Sequence, residues 1–222
     1  TCGWRITFIV LGGVGGLLSL PVLATIRNIP RGSYDATPVD QEETPSAKDV
    51  LRVLLGNRAF VHLAAGSSLV VLIGYALPAF LAPFAIRVHN LPVAQAGLVS
   101  GSVMGGGGLL GTIASGIIAD KLGANNRSWY GWVSAIGMVI AFPCLTLGLL
   151  AGDIVIVTAM LTLGMALMFT YIPPTFAMIH GMVSARMRAT ATSVFYMIIN
   201  LIGLGIGPPL VGWLSDRLAQ GA

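Results

Sequence analysis

The sequence predicts an all-α polytopic membrane protein with six transmembrane helices. Of its 222 residues, 55% are hydrophobic and only 9% are charged, whereas an ordinary soluble domain carries about 25% charged residues. Six gaps between successive charges each hold at least 21 uncharged residues, and about 20 suffice for a helix to cross the hydrocarbon core of a bilayer. Because backbone groups cannot remain unpaired in lipid, spans of this length form helices rather than the shorter, alternating strands of a barrel.

The gaps between charges locate the spans in order along the chain. The predicted spans are about 4–27, 59–86, 94–119, 129–151, 154–180 and 189–215. The first resembles a secretory leader in position, but the glycines between Gly12 and Gly16 interrupt its apolar stretch and five further spans follow, so we predict a retained helix. Cys2 and Cys144 fit neither a disulfide framework nor a metal site, and the sequence predicts no cofactor.

Residues 28–57 form the longest polar segment. Its first half contains prolines and most of the acidic residues, which predicts a flexible linker. In its second half, Ser46 precedes Asp49 by three residues, which is an N-cap signature, and Gly56 ends the apolar-periodic stretch. We therefore predict a short amphipathic helix along the cytoplasmic face before the second span.

The basic residues are distributed unevenly between the two sides of the membrane. If the spans alternate in direction, nine of the 12 Lys and Arg residues lie on one side and three on the other. The positive-inside rule assigns the first side to the cytoplasm, and we expect a multi-pass protein of the plasma (inner) membrane surrounded by membrane lipids. The bases are spread over three loops rather than gathered on one face, so no nucleic-acid partner is predicted.

The segment "GIIADKLGANNR", residues 116–127, brings an acid and a base together at the end of the third span. Gly116 allows a neighbouring helix to approach, Asp120 can reach the N-terminal amides of another helix, and Lys121 can extend to lipid phosphates. With Gly123 and Arg127 these residues form a candidate conformational clamp, which holds the cytoplasmic helix ends together in one state of the protein. A plain turn with positive-inside anchoring is the alternative.

This segment resembles the signature motif of the major facilitator superfamily, Gly-x-x-x-Asp-(Arg/Lys)-x-Gly followed by basic residues. Ala124 and Asn125 replace the usual basic pair, and Arg127 comes later. Three longer stretches are similar to the spinster-like branch of that superfamily, namely "GWRITFIVLGGVGGLL", "AQAGLVSGSVMGGGGLLGTIASGIIADKLG" and "ARMRATATSVFYMIINLIGLGIGPPLVGWLSDRL".

The resemblance implies a partial major facilitator fold, in which the six spans correspond to helices six to eleven of a twelve-helix transporter. Residues 4–27 would be the last helix of the N-terminal bundle, 28–57 the cytoplasmic linker and 58–222 an incomplete C-terminal bundle. The substrate cavity of such transporters lies between the bundles near the midplane. The remaining N-terminal helices would therefore be partners of this chain, and one of them would hold the counterpart of the clamp.

Polar residues within the spans are candidates for lining that cavity. On the last span Tyr196 and Asn200 share a helix face with Gly203 and Gly207. An amide in lipid is costly, so Asn200 should face a cavity or another helix, and both alternatives remain open. The other candidates lie beside prolines in the second and fifth spans and are Tyr75, Thr170 and Tyr171.

Prolines and glycines in the spans are candidate points of helix bending and close packing. These residues are Pro78, Pro173, Pro174, Gly203, Gly207, Pro208 and Gly212. The last four resemble the glycine-proline motif of antiporters in the superfamily, and either gating or simple packing accounts for them.

Arg186 and Arg188 precede the last span, where they either dock an acid of the other bundle or anchor the helix at the membrane surface.

The predicted function is secondary active transport by alternating access, with a lysophospholipid, a sphingosine-phosphate-like lipid or another organic anion as substrate. The alternatives are a multidrug/proton antiporter and a non-transporting fragment that needs complementing helices.

An enzyme is not predicted, because the "GGGG" run at 105–108 lacks the Lys-Ser/Thr of a phosphate loop. No Asp, Glu, Lys or Arg falls inside a predicted span, so if protons are the coupling ion, the coupling residue should lie on the missing helices.

Overall fold

The computed structural model describes residues 3–25 and 46–220, and the regular structure of these residues is entirely helical. A π-helical turn, Ser102–Gly106, follows the fourth helix and a 3-10 turn, Ala185–Met187, precedes the ninth. The helices are α1 (Trp4–Thr25), α2 (Ala47–Gly56), α3 (Arg58–His89), α4 (Val93–Gly101), α5 (Gly107–Gly123), α6 (Trp129–Leu150), α7 (Ile154–Phe169), α8 (Ile172–Met182) and α9 (Arg188–Gln220).

Six stretches of the described residues are long and apolar enough to cross a membrane. This confirms the predicted all-α fold with six spans. The chain divides into two compact units, Thr1–Thr44, which contains α1, and Pro45–Ala222, which contains the other helices. Most of the predicted flexible linker, residues 28–45, lies outside the described residues.

The fifth span consists of two helices rather than one. α7 ends at Phe169 and α8 begins at Ile172, with Thr170 and Tyr171 between them. The prolines at the start of α8, Pro173 and Pro174, have no amide hydrogen to donate to the preceding turn, and their rings clash with its carbonyls. In contrast, Pro78 and Pro208 lie inside the uninterrupted helices α3 and α9.

The third span contains a π-helical turn that the sequence analysis did not predict. Ser102–Gly106 joins α4 to α5 without a loop, and the turn falls at the start of the glycine run. A π-helical turn accommodates one more residue than the α-helix that it interrupts, and such turns are frequent at functional sites.

The core of the second unit consists of two hydrophobic clusters, and α3 contributes to both. The first cluster joins α2, α3, α8 and α9 through Val50, Leu54, Phe60, Ala64, Val71, Ile179, Ala191, Phe195 and Ile199. The second joins α3, the π-helical turn, α6 and α7 through Leu81, Val103, Ala141, Val157, Leu161, Met165 and Met168. α3 thus packs along its length against helices of both clusters.

Close helix packing occurs at glycines other than the one that opens the signature motif. A Cβ atom at Gly111 would overlap the backbone of Ala166 on α7, and one at Gly207 would lie 2.6 Å from the carbonyl oxygen of Leu72 on α3.

At Gly116 the nearest described neighbour of such an atom is Pro173, at an ordinary distance of 3.9 Å. The close approach expected at Gly116 is therefore not seen among the described residues. The structure leaves open space around Gly212 as well, because none of the described atoms lies within 4 Å of a Cβ built there.

The short helix α2 has an N-terminal cap and packs against α3 and α9. Ser46 Oγ accepts a hydrogen bond from the amide of Asp49 at 3.3 Å and donates one to Asp49 Oδ2 at 2.7 Å. This N-cap is the one that the spacing of the two residues predicts. Val50 and Leu54 are fully buried in the first hydrophobic cluster, so one face of α2 packs against the ends of α3 and α9.

Ser46→Ala is expected to lower the free energy of unfolding by about 1 kcal/mol, the usual cost of losing an N-cap side chain. Thermal unfolding of the purified chain in a neutral detergent would measure this loss. Ser128→Ala is the matched control, because Ser128 is the N-cap residue of α6 but its side chain makes no capping hydrogen bond. Equal effects of the two substitutions would contradict a stabilising role for the Ser46 cap.

Candidate functional site

A central cleft lies between α3, α7, α8 and α9 and has a volume of about 210 Å³. Four of the five candidate cavity residues line it, namely Tyr75, Tyr171, Tyr196 and Asn200. The rest of its surface is mostly apolar, and its apolar residues include Val70, Val71, Met104, Met165, Met168, Phe169, Ile172 and Ile199. None of the lining residues within the described chain is charged, so the cleft offers apolar surface with a few neutral hydrogen-bonding groups.

Asn200 is the centre of the polar contacts in this cleft. Tyr75 Oη donates a hydrogen bond to Asn200 Oδ1 at 2.6 Å, which joins α3 to α9. Asn200 Nδ2 donates to the backbone oxygen of Tyr196 at 2.8 Å. The asparagine therefore both lines a cavity and bonds to another helix. The hydroxyls of Tyr171 and Tyr196 make no hydrogen bond within the part of the chain that the structure describes.

The glycine face of α9 explains why Tyr75 and Asn200 meet. A Cβ at Gly203 would overlap the side chain of Val71, and Gly207 lies equally close to the backbone at Leu72. The two backbones thus approach closely within a turn or two of Asn200. Side chains of moderate length can then bridge α3 and α9, and the helical spacing of Asn200, Gly203 and Gly207 is the sequence signal for this face.

Thr170 lies apart from the central cleft. It lines a separate groove of about 660 Å³ between α5, α6 and α7, whose surface is almost entirely apolar. Its hydroxyl donates to the backbone oxygen of Leu167 at 2.6 Å, next to Gly137 on α6. In this structure it belongs to the break between α7 and α8 and not to the polar group around Asn200.

The signature motif is positioned by a residue that the sequence analysis did not select. Tyr130 Oη, at the start of α6, donates to Asp120 Oδ1 at 3.4 Å. Gly123 leaves room for that ring, because a Cβ there would lie 2.6 Å from Tyr130 Cε2. Asp120 itself is exposed, and its contact with Tyr130 lies within the second unit.

Two basic residues of the candidate site share a third cavity. Arg127 and Arg188 line a space of about 490 Å³ together with Tyr130 and His180. Arg186 lies in the 3-10 turn and is not among the lining residues. Of the two arginines in the 181–188 segment, Arg188 therefore lines this cavity and Arg186 does not.

Comparisons with known proteins agree with this architecture. The family model described as Major Facilitator Superfamily matches residues 1–208. An MFS-type efflux pump of Mycolicibacterium smegmatis is 29% identical over 218 residues, 98% of this chain and 49% of that protein. Protein spinster homolog 3 of Danio rerio is 25% identical over 240 residues, 99% of this chain and 47% of that protein.

A solved structure has the same fold. It is a bacterial homologue of the human lysosomal transporter Spinster, in an inward-facing and unoccupied conformation, and it superposes with a TM-score of 0.77. Its sequence identity with this chain is 28%, and the match covers 98% of this chain and 46% of that one. The chain spans about half the length of the curated relatives it matches. It belongs to the major facilitator superfamily, with spinster-like proteins among its relatives.

Proposed function

We propose that this chain forms part of a secondary active transporter that works by alternating access, and that the central cleft is its share of the substrate pathway. The observation that carries the proposal is the Tyr75–Asn200 hydrogen bond inside an otherwise apolar cleft. Polar side chains within membrane-spanning segments are costly in lipid and often mark substrate pathways. Opening of the α3–α9 contact would free both groups to bind a substrate.

The lining of the cleft favours an amphipathic substrate. Methionine, valine and phenylalanine side chains can accommodate an acyl chain, and the hydroxyls of Tyr171 and Tyr196 can bind a polar group beside it. Similarity to spinster proteins directs the proposal to lysophospholipids, sphingosine-phosphate-like lipids or other organic anions. In this proposal the anionic charge is bound outside the cleft lining described here, by the helices that complete the relatives. The site of action would be the plasma (inner) membrane.

A multidrug/proton antiporter is the second candidate. An efflux pump matches 98% of the chain, and α9 carries the antiporter-like Gly203, Gly207 and Pro208 in close contact with α3. A cleft without basic residues is also compatible with a lipophilic cation. The two candidates differ in substrate charge and in their dependence on a proton gradient.

Reconstitution in liposomes separates these candidates. A transporter of the relatives' length that contains this chain would be tested with labelled lysophosphatidylcholine, sphingosine phosphate and a fluorescent lipophilic cation, with and without a pH gradient. Uptake of either lipid supports the first proposal. Gradient-dependent movement of the cation without lipid uptake would replace it with the antiporter. Transport of none of the three would favour a chain without transport activity.

The clamp proposal predicts that Asp120→Asn shifts the balance between inward-facing and outward-facing states of that transporter about two- to fivefold. This range corresponds to the 0.3–1 kcal/mol typical of a carboxylate at a helix N-terminus. Distances between spin labels on the two bundles would measure the balance. Asp153→Asn is the control, because Asp153 caps its own helix, accepting from the amide of Val155 at 2.7 Å, and asparagine caps equally well. An unchanged balance and unchanged transport for Asp120→Asn would exclude the clamp.

A further inference from the structure

We propose that the cavity lined by Arg127, Tyr130, His180 and Arg188 binds a phosphate group. This basic cavity, as we call it, lies where the turn after α5, the start of α6, the end of α8 and the start of α9 meet. Its volume is about 490 Å³. It is separate from the central cleft, with which it shares no lining residue, and the inference does not depend on the transported substrate.

The charges that face the cavity have one sign. Arg127 and Arg188 are both exposed; Arg127 lies in the turn between α5 and α6, and Arg188 is the first residue of α9. No acidic residue lines the cavity, and within the described residues neither arginine forms a salt bridge. Asp120 is hydrogen-bonded to the lining residue Tyr130 but does not itself line the cavity. Two guanidinium groups in one cavity are well suited to an anion with several oxygens, because each can donate two parallel hydrogen bonds.

Other polar groups and two helix ends also border the cavity. His180 Nε2 is held by Thr192 Oγ1 at 2.9 Å, which fixes the imidazole ring at the wall of the cavity. α6 begins at Trp129 and α9 begins at Arg188, so the N-terminal ends of two long helices border the same space. The dipoles of these two N-terminal ends favour an anion, whereas the C-terminal ends of α5 and α8 at the same place oppose it, so the two arginines are the main source of positive potential.

The size and position of the cavity define the class of ligand. Its volume is larger than an inorganic phosphate requires and leaves room for a small polar group attached to the phosphate. The helices that surround it are long enough to span a membrane, and the cavity lies at their ends, where a spanning helix would meet the lipid headgroups. A free phosphate and the phosphate of an anionic lipid headgroup share this chemistry, and an experiment can distinguish them.

The test uses the purified chain in a neutral detergent with two probes. Inorganic phosphate is measured by equilibrium dialysis, and phosphatidylglycerol by native mass spectrometry with diacylglycerol as the phosphate-free control. Arg127→Gln and Arg188→Gln are each expected to weaken binding about tenfold, as expected for the loss of one charge-assisted contact. Arg52→Gln is the matched control, because Arg52 is an exposed basic residue on α2 outside the cavity.

Every outcome of this experiment bears on the proposal. Arginine-dependent binding of both probes supports a general phosphate site, binding of phosphatidylglycerol alone a headgroup site, and binding of phosphate alone a site for a free anion. The proposal is overturned if neither probe binds, if the double variant R127Q/R188Q binds as well as the unchanged chain, or if R52Q weakens binding to the same extent. Unfolding midpoints report whether each variant is folded, and both cavity arginines are exposed enough to be replaced without disturbing the core.

Discussion

Gly111→Ala is expected to destabilise the second unit by about 2 kcal/mol. The added Cβ would overlap the carbonyl oxygen of Ala166 and lie 2.7 Å from its carbonyl carbon. Backbone atoms of α7 cannot rotate away as a side chain could, so α5 and α7 must separate. Overpacking of this kind costs about 1 to 3 kcal/mol, occasionally more, and exceeds the gain of less than about 1 kcal/mol that alanine brings to a helix.

Gly97→Ala is the control, for which the opposite change in stability is expected. Gly97 lies on α4, in the same span, and no described atom lies within 4 Å of a Cβ placed there. Alanine at this position should raise the unfolding midpoint slightly, since only helix propensity changes. Both midpoints can be measured by thermal unfolding in detergent. If the two substitutions changed stability in the same direction, the α5–α7 contact at Gly111 would not be the one described.

Asn200→Leu is expected to reduce transport about tenfold in a reconstituted transporter of the relatives' length. The substitution removes the acceptor of Tyr75 Oη and with it the hydrogen bond that joins α3 to α9, which is worth about 0.5 to 1.5 kcal/mol. It also removes the polar centre of the proposed substrate pathway. Initial uptake rates at several substrate concentrations would show whether the loss lies in binding or in turnover.

Two further variants make the result specific. Ser193→Ala lies on the same helix, and its hydroxyl bonds within the helix to Ala189, so uptake should be unchanged. Tyr75→Phe removes the other partner of the pair, and the double variant with Asn200→Leu should cost less than the sum of the two single losses. Strictly additive losses would mean that the Tyr75–Asn200 contact has no part in transport.

The spans could be predicted from the sequence because the thickness of the bilayer limits where charges can lie. Arg58 begins α3, and Asp153 precedes the first residue of α7, as the charge gaps require. The break before Pro173 lies at a proline pair that the sequence marks as a candidate bend, although Pro78 and Pro208 leave α3 and α9 uninterrupted. The positions of the span ends and of the candidate bends depend on local chain chemistry and on the bilayer. They can therefore be predicted from a single sequence.

The contacts between distant segments could not be predicted in the same way. Gly111 packs closely and Gly116 does not, although both lie on the same glycine-rich helix, because the difference depends on where α7 crosses α5. Tyr130 could be linked to Asp120 only once the turn between α5 and α6 was known. Nothing in the sequence distinguishes the methionines of the central cleft from the exposed Met197.

The π-helical turn at Ser102–Gly106 has a consequence for comparing this chain with its relatives. Such a turn arises when one residue is inserted into an α-helix, and each residue of an α-helix advances the chain by about 100°. The wider turn takes up the extra residue locally, so a homologue one residue shorter at this point could form a continuous α-helix in which α4 and α5 keep the same relative orientation. Ala96, which is fully buried on α4, would then keep its place in the bundle. Without the π-helical turn, the same extra residue would rotate α4 by about 100° relative to α5 and turn Ala96 away from its neighbours.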